Sequence, residues 1–274
     1  IVRDADTETI TATFNEAMTS APTITLTLSN GTTITAAALS GSGTEWTYAW
    51  DVPANSNGTA TVTVAGSDLA GNAYAGSDNL VFTIDNTAPS TPVVTSQTTN
   101  DTTPTVVGTA EVGSSVSLVI GGVTYSTTAD SNGAWSVNVT TALTDDTYTV
   151  SATATDAAGN TSAVGTGSLV IDTTAPPVVL THSGLDLIVR DADTETITAT
   201  FSEVMTVAPT ITLTLSNGTT ITAAALSGSG TEWTYAWDVP ANSNGTATVT
   251  VAGSDLAGNA YAGSDNLVFT IDNT

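Results

Sequence analysis

Carboxylates are the groups in this sequence with the most chemistry to offer, and they recur at fixed places. Three stretches share the pattern Asp-x-Ala-Gly-Asn: Asp68-Leu69-Ala70-Gly71-Asn72, Asp156-Ala157-Ala158-Gly159-Asn160, and Asp255 to Asn259. Each is followed by a run that ends in Ile-Asp: Ile84-Asp85-Asn86-Thr87, Ile171-Asp172-Thr173-Thr174 and Ile271-Asp272-Asn273. Carboxylate and amide oxygens gathered from several segments suit a hard cation. Calcium takes about six to eight oxygens at roughly 2.3–2.6 Å in flexible geometry, whereas magnesium demands stricter octahedral placement. Carboxylates packed together also repel one another unless a cation lies between them. Asp, Asn and Gly are ordinary turn residues as well. The pattern gains weight because the acids recur at corresponding places in units that otherwise differ.

The rest of the composition removes other chemistries. There are 26 acidic residues against Arg3 and Arg190, with no lysine, for a formal net charge of −24. Such a field repels nucleic acid and anionic membrane surfaces, and it attracts cations. The absence of cysteine excludes disulfides and thiolate metal sites. The one histidine, His182, lies near Asp186 and reads as a solvated loop residue. Serine and threonine are abundant, but the acid–base partners that would activate them are scarce, so no enzyme is expected. No apolar stretch approaches the ~20 residues of a membrane helix, so no membrane insertion is expected. No signal peptide is visible, and Ile1 reads as the middle of a domain cut from a longer parent.

The acids must be positioned by a repeating scaffold. Ile1–Thr87 matches Ile188–Thr274 at a constant offset of 187 residues, with differences only at Asn15/Ser202, Ala17/Val204 and Ser20/Val207. A dissimilar unit lies between the copies. The order is therefore A, B, A, with boundaries at 1–87, 88–174 and 175–274. The second copy carries a lead-in, Pro177 to Leu187, that the first lacks, so the first A is expected to miss its opening strand.

Every unit reads as strands. Thr23 to Leu28 alternates polar and apolar with period two, the mark of a half-buried strand. Trp46, Tyr48 and Trp50 share one face, as do Val62 and Val64, then Leu80, Phe82 and Ile84. In B the same role falls to Val116, Leu118 and Ile120, then Trp135, Val137 and Val139, then Tyr148, Val150 and Ala152. Asn30-Gly31, Asn132-Gly133 and Asn217-Gly218 read as hairpin turns. About seven short strands per unit, with turns every ~8–12 residues, fit an immunoglobulin-like sandwich. The fold expected is all-β: a tandem array of three such sandwiches. The aromatic stripe is assigned to the core rather than to a sugar-stacking platform.

In an immunoglobulin-like topology the Asp-x-Ala-Gly-Asn turn faces the preceding domain, and the Ile-Asp stretch leaves toward the following one. The second inter-strand loop, carrying Glu111 in B and Glu16 and Glu203 in A, points to the same joint. The first inter-strand loop faces the next domain. It carries Asp4, Asp6 and Glu8 in A, Asp191, Asp193 and Glu195 in the second copy, and Asn100 and Asp101 in B. The A–B joint is thus expected to gather Asp85, Asp156, Asn160 and Glu111, with Asp4 and Asp6 nearby. The B–A joint is expected to gather Asp172, Asp255, Asn259 and Glu203, with Asp101 nearby. Calcium is the expected ligand of both.

These motifs, Thr155 to Asn160 and Val170 to Pro176 with their A-type counterparts, resemble the bacterial immunoglobulin-like repeats of giant surface adhesins. The resemblance covers the whole chain. It implies extender domains of long, type-I-secreted adhesins, often of the RTX kind, at the bacterial cell surface. It also implies calcium between domains, stiffening a rod that projects a distal adhesive part for attachment or biofilm formation. Unit A departs from B in Asn86 for Thr173 and Leu69 for Ala157, which leaves the acids in place. The partners expected are neighbouring repeats of the parent chain and calcium, with the fragment itself a monomer. The competing reading is an adhesive module that grips glycan, ice or host protein through threonines or exposed tryptophans.

Overall fold

The computed structural model describes residues 1–74, 80–261 and 267–274, and every regular element among them is a β-strand. The chain forms two compact units. One comprises Ile1–Val94, Val107–Val137 and Val150–Gly167; the other comprises Thr95–Val106, Asn138–Thr149 and Ser168–Thr274.

The first unit opens with β1 (Thr7–Thr13), β2 (Thr23–Leu28), β3 (Thr33–Ala38), β4 (Ser40–Ser42), β5 (Glu45–Asp51), β6 (Gly58–Ala65) and β7 (Leu80–Ile84). They make two facing sheets in the orders β1-β5-β4 and β3-β2-β6-β7. The alternating threonines follow from the sheet: one face packs inward and the other meets water, so Thr alternates with Ile, Leu or Val. Ile24, Leu26, Trp50, Ala60 and Val62 fill the space between the sheets. Leu80, placed by its spacing on one face with Phe82 and Ile84, is exposed.

The unit continues with β8 (Val93–Val94), β10 (Thr105–Thr109), β11 (Ser115–Ile120), β12 (Val123–Thr128), β13 (Ala134–Asn138) and β14 (Asp146–Thr155). Within it β11 pairs antiparallel with both β12 and β14. Gly121-Gly122, both with positive φ, close the tight β11–β12 hairpin. Asn132-Gly133 is a turn but not a hairpin: β12 and β13 on its two sides belong to different sheets. Gly108 has a packing reason. A Cβ there would fall 2.0 Å from the Val93 carbonyl oxygen and 2.2 Å from the Trp135 ring, so only glycine lets the indole lie against β10.

The second unit holds β9 (Gln97–Thr99), β15 (Gly165–Ile171), β16 (Val178–His182), β17 (Ile188–Val189), β18 (Thr194–Phe201), β19 (Thr210–Leu215), β20 (Thr220–Ala225), β21 (Ser227–Ser229), β22 (Glu232–Asp238), β23 (Gly245–Ala252) and β24 (Leu267–Ile271). Here β15 runs parallel to β9 in the register Leu169↔Gln97, Val170↔Thr98, Ile171↔Thr99. The sheets of the second A copy are β16-β18-β22-β21 and β17-β24-β23-β19-β20. The four-strand sheet has one member more than its counterpart in the first copy: β16, supplied by the lead-in and paired antiparallel to β18. Its addition takes Ile197 to 0% exposure and Phe201 to 2%, against 4% for Ile10 and 9% for Phe14.

All five tryptophans lie in the interior, from Trp237 at 0% to Trp46 at 8% exposure. None offers a ring face for stacking a sugar. His182 is corrected from the sequence reading. It ends β16 rather than sitting in a loop, and its half-buried ring stands edge-on to Phe269 with Nδ1 3.4 Å from Glu195 Oε2.

Each A copy also carries a bulge. The β2–β3 register shifts between Ile24 and Leu26, and the β19–β20 register shifts between Ile211 and Leu213. Ala36 and Ala223 sit in the left-handed region there, at φ of 49° and 50°. The amides freed by the bulge bond to Thr25 Oγ1 and Thr212 Oγ1, both at 3.2 Å.

Candidate metal centre

The Asp-x-Ala-Gly-Asn turn folds on its own terms. In its first occurrence Asp68 Oδ1 accepts the amides of Ala70 and Asn72 at 2.9 and 2.8 Å, and Asn72 Nδ2 donates to Asp68 Oδ2 at 2.8 Å. Gly71 takes a φ of 86°, a conformation costly for any other residue. These bonds hold the Asp68 pKa below the ordinary value, with the Asn72 side chain contributing most. The middle occurrence repeats the geometry. Asp156 Oδ1 accepts from Ala158 and Asn160, and Asn160 Nδ2 donates to Asp156 Oδ2, all at 2.8 Å. Burial acts to raise the Asp156 pKa, but the bonds from Asn160, Ala158 and Gly159 outweigh it and hold the value low.

The turn has a second use. Asn160 Nδ2 also donates to the backbone oxygen of Asp85 at 2.9 Å, within the first unit. Asn259 Nδ2 donates to the backbone oxygen of Asp172 at 2.8 Å, within the second unit. One carboxamide thus fixes its own turn and grips the linker that arrives from the preceding sandwich.

At the B–A joint the acids converge. Asp172, Glu203 and Asp255 each offer a carboxylate oxygen within 4.8 Å of the others, and they form the one such group among the described residues. Asp255 is 1% and Asn259 7% exposed. Asp255 Oδ1 accepts from the amides of Gly258 and Asn259, and Oδ2 from Asn259 Nδ2. An antiparallel bridge between Met205 and Asp255 draws the Glu203 loop onto the turn. Burial raises the Glu203 pKa first, then the charges of Asp172 and Asp255, then a hydrogen bond shared with Asp172. The donor set is all oxygen, it is partly dry, and its members repel one another. It fits a hard divalent cation. Asp101 lies apart, with Oδ1 turned to the amide and hydroxyl of Thr103. Its neighbour Asn100 makes the contact instead, donating its amide to the Ala257 oxygen at 2.9 Å.

At the A–B joint the expected residues divide. Asp85, Asp156 and Asn160 come together as described. Among the described residues Glu111 belongs to no converging group of three, and no bridge ties its loop to the Asp156 turn. Asp4 and Asp6 line a cleft with Arg3, Ala5, Asn86 and Asn160. Asp4 Oδ2 accepts the Asn55 amide at 2.7 Å, while its Oδ1 is buried without a hydrogen-bond partner. Asp6 Oδ2 accepts the Arg3 amide at 2.9 Å. The residue that sequence reasoning passed over is Arg3, whose Nη1 donates to the Gly159 oxygen of the middle turn. Its only signal in the sequence was rarity.

Comparison with known proteins bears on the domains that carry these loops. Residues 90–173 match a family model described as a bacterial Ig-like domain, and residues 172–271 match a second model of the same description. Two stretches of this chain are bacterial Ig-like domains. Such domains are typical of extracellular or surface proteins of bacteria and are typically structural rather than catalytic. No helix of the described residues is long and apolar enough to cross a membrane. No curated protein matches the chain. Among solved structures, the fibronectin(III)-like modules of Clostridium thermocellum CbhA are similar at 16% identity and a TM-score of 0.36, over 66% of this chain and 94% of that one. Escherichia coli alpha-2-macroglobulin activated by porcine elastase is similar at 8% identity and a TM-score of 0.27, over 99% of this chain and 30% of that one.

Proposed function

We propose that the chain is a spacer segment of a large bacterial surface adhesin, stiffened by calcium at its B–A joint. Near-identical copies on a repeating scaffold suit reach, since a copied spacer lengthens the array without altering what lies at its end. The five buried tryptophans leave a glycan platform without its indoles. The observation that carries the reading is the meeting of Asp172, Glu203 and Asp255 around the linker carbonyl held by Asn259. Calcium there would be held by Asp172, Glu203 and Asp255, tying the linker of one sandwich to the loops of the next. Affinity is expected at roughly 10⁻⁴–10⁻³ M, the range of extracellular modules.

The test is small-angle scattering and thermal melting of the full chain in calcium and in chelator. Calcium is expected to reduce flexibility and raise the melting temperature, and Glu203→Gln is expected to remove most of both effects. An unchanged scattering profile and an unchanged melting curve would refute calcium-controlled stiffness. Secretion by a type I route, the RTX character of the parent and a role in biofilm belong to the same proposal. They are tested by locating the protein on cells and by deleting these repeats.

A further inference from the structure

The two joints share their backbone contact but not their charge. Only two basic side chains exist in the chain, and one of them, Arg3, sits at the A–B joint. Its backbone amide is fixed by Asp6 Oδ2 at 2.9 Å, and its Nε lies 3.9 Å from Asp6 Oδ1. Its Nη1 crosses to the Gly159 oxygen, and a Cβ on Gly159 would come within 3.3 Å of the guanidinium carbon. The glycine that the turn needs for its φ of 90° is thus also what admits the arginine. Arg3 lines the same cleft as Asp4 and Asp6, where Asp4 Oδ1 is buried without a hydrogen-bond partner.

At the B–A joint the corresponding loop position is neutral Asn100, whose backbone amide donates to the Ala257 oxygen and whose side chain lies against Gly258. It is at this joint, lacking an arginine, that three carboxylates converge.

We propose that Arg3 is the resident cation of the A–B joint: it latches the linker face to the Asp156 turn and keeps divalent metal out. Guanidinium is always charged and holds several donors in a fixed plane, so it can bridge a carbonyl and a carboxylate as a metal would. A divalent ion about 5 Å from it would bind roughly tenfold more weakly even at the dielectric of water. The array then alternates an arginine-latched joint, indifferent to calcium, with a metal-dependent one. The contrast rests on the calcium reading of the B–A joint; the latch itself does not.

The absence of cysteine allows paired spin labels on the full chain. Thr33→Cys with Thr124→Cys reports on the A–B joint, and Thr147→Cys with Thr220→Cys reports on the B–A joint; all four positions are exposed. Arg3 is 45% exposed at its side chain and lies outside the core, so its replacement leaves the sandwiches folded. In chelator the A–B distance distribution is expected to be narrow and to broaden with Arg3→Ala. Calcium is expected to leave the wild-type A–B distribution unchanged and to narrow the B–A one. Calorimetric titration should give one calcium for the wild type and a second site for Arg3→Asn, the residue type found at the other joint. The inference is overturned if Arg3→Ala leaves the A–B distribution unchanged in chelator. It is also overturned if calcium narrows that distribution in the wild type, in which case the B–A calcium site still stands. If the wild type binds no calcium, the proposed function fails, and the latch is judged by the Arg3→Ala result in chelator alone.

Discussion

The A–B and B–A joints are built from the same turn and the same linker, yet they end as different chemical objects. In each, an asparagine carboxamide donates to the carbonyl of the linker aspartate: Asn160 to Asp85, Asn259 to Asp172. Around that shared bond, one joint places a guanidinium and the other gathers three carboxylates. The cause lies in loops rather than in the core. The bridge Met205↔Asp255 ties the Glu203 loop to its turn, whereas among the described residues no such bridge joins the Glu111 loop to the Asp156 turn. Backbone recognition fixes where two sandwiches meet, and a few loop residues then set what the meeting requires.

The largest expected effect breaks the shared bond. Asn259→Leu takes the side-chain donor from Oδ2 of Asp255, a residue at 1% exposure, and from the Asp172 carbonyl. Loss of a buried bond to a charged group costs about 1.5–3 kcal/mol. Asn160→Leu removes the equivalent bonds at the more open A–B joint and should cost about 1 kcal/mol. Denaturant melts of the two variants compare them directly, and equal losses would erase the distinction in burial.

Calcium should separate the joints next. At about 10 mM calcium and a Kd of roughly 0.1–1 mM, binding stabilises by about 1.4–2.7 kcal/mol. That gain should appear in the transition of the second unit alone and disappear with Glu203→Gln. Hydrogen exchange resolved along the chain shows where the protection falls.

The joints should also answer pH in opposite senses in the absence of metal. The Glu203 pKa is raised by burial, by Asp172 and by Asp255. Its penalty is therefore full above the folded-state pKa and is relieved as pH falls through that value toward the ordinary 4.5. The Asp156 pKa is lowered, so its contribution is full above the ordinary 3.8 and is lost as pH falls through the lower folded-state value. Mild acid should thus protect amides near Asp255 before stronger acid exposes those near Asp156. Calcium affinity should fall over the window in which Glu203 takes up its proton.

The smallest effect is a control within the repeat. Ala36→Gly and Ala223→Gly relieve left-handed alanines whose cost is about 1–2 kcal/mol, offset by the backbone entropy of glycine. Each should gain less than about 1 kcal/mol, and by equal amounts, because the copies share their bulge geometry. Unequal gains would mean that the copies differ beyond their joints.

What the sequence displayed was whatever depends on period and on copying. Alternating Thr with Ile, Leu and Val exposed the strands, the 187-residue offset exposed the duplicated unit, and the buried face of Trp46 and Trp50 followed from the same alternation. The partnership of turn and linker was legible because both motifs recur together. The division of the joints was not. Glu111 and Glu203 occupy corresponding loops, and only the local hydrogen bonding decides which one reaches the turn. Arg3 gave no periodic signal, since its partner Gly159 lies 156 positions away. His182 misled because isolation in sequence says nothing of burial: an added strand carried it against Phe269 and Glu195.

One feature of the sandwiches bears on how they would behave when tugged. In the second unit β9, near the entry of the middle sandwich, runs parallel to its exit strand β15 over three residue pairs. The second A copy closes a shorter parallel pair, Ile188↔Thr270 and Val189↔Ile271. When entry and exit strands lie side by side and parallel, tension applied to the two ends drags them in opposite directions along their common length. The ladder is then sheared, so its hydrogen bonds share the load and fail together, rather than being unzipped one after another. A domain with this geometry holds against a pull until a threshold and then yields abruptly, and the longer ladder sets the higher threshold in the middle sandwich.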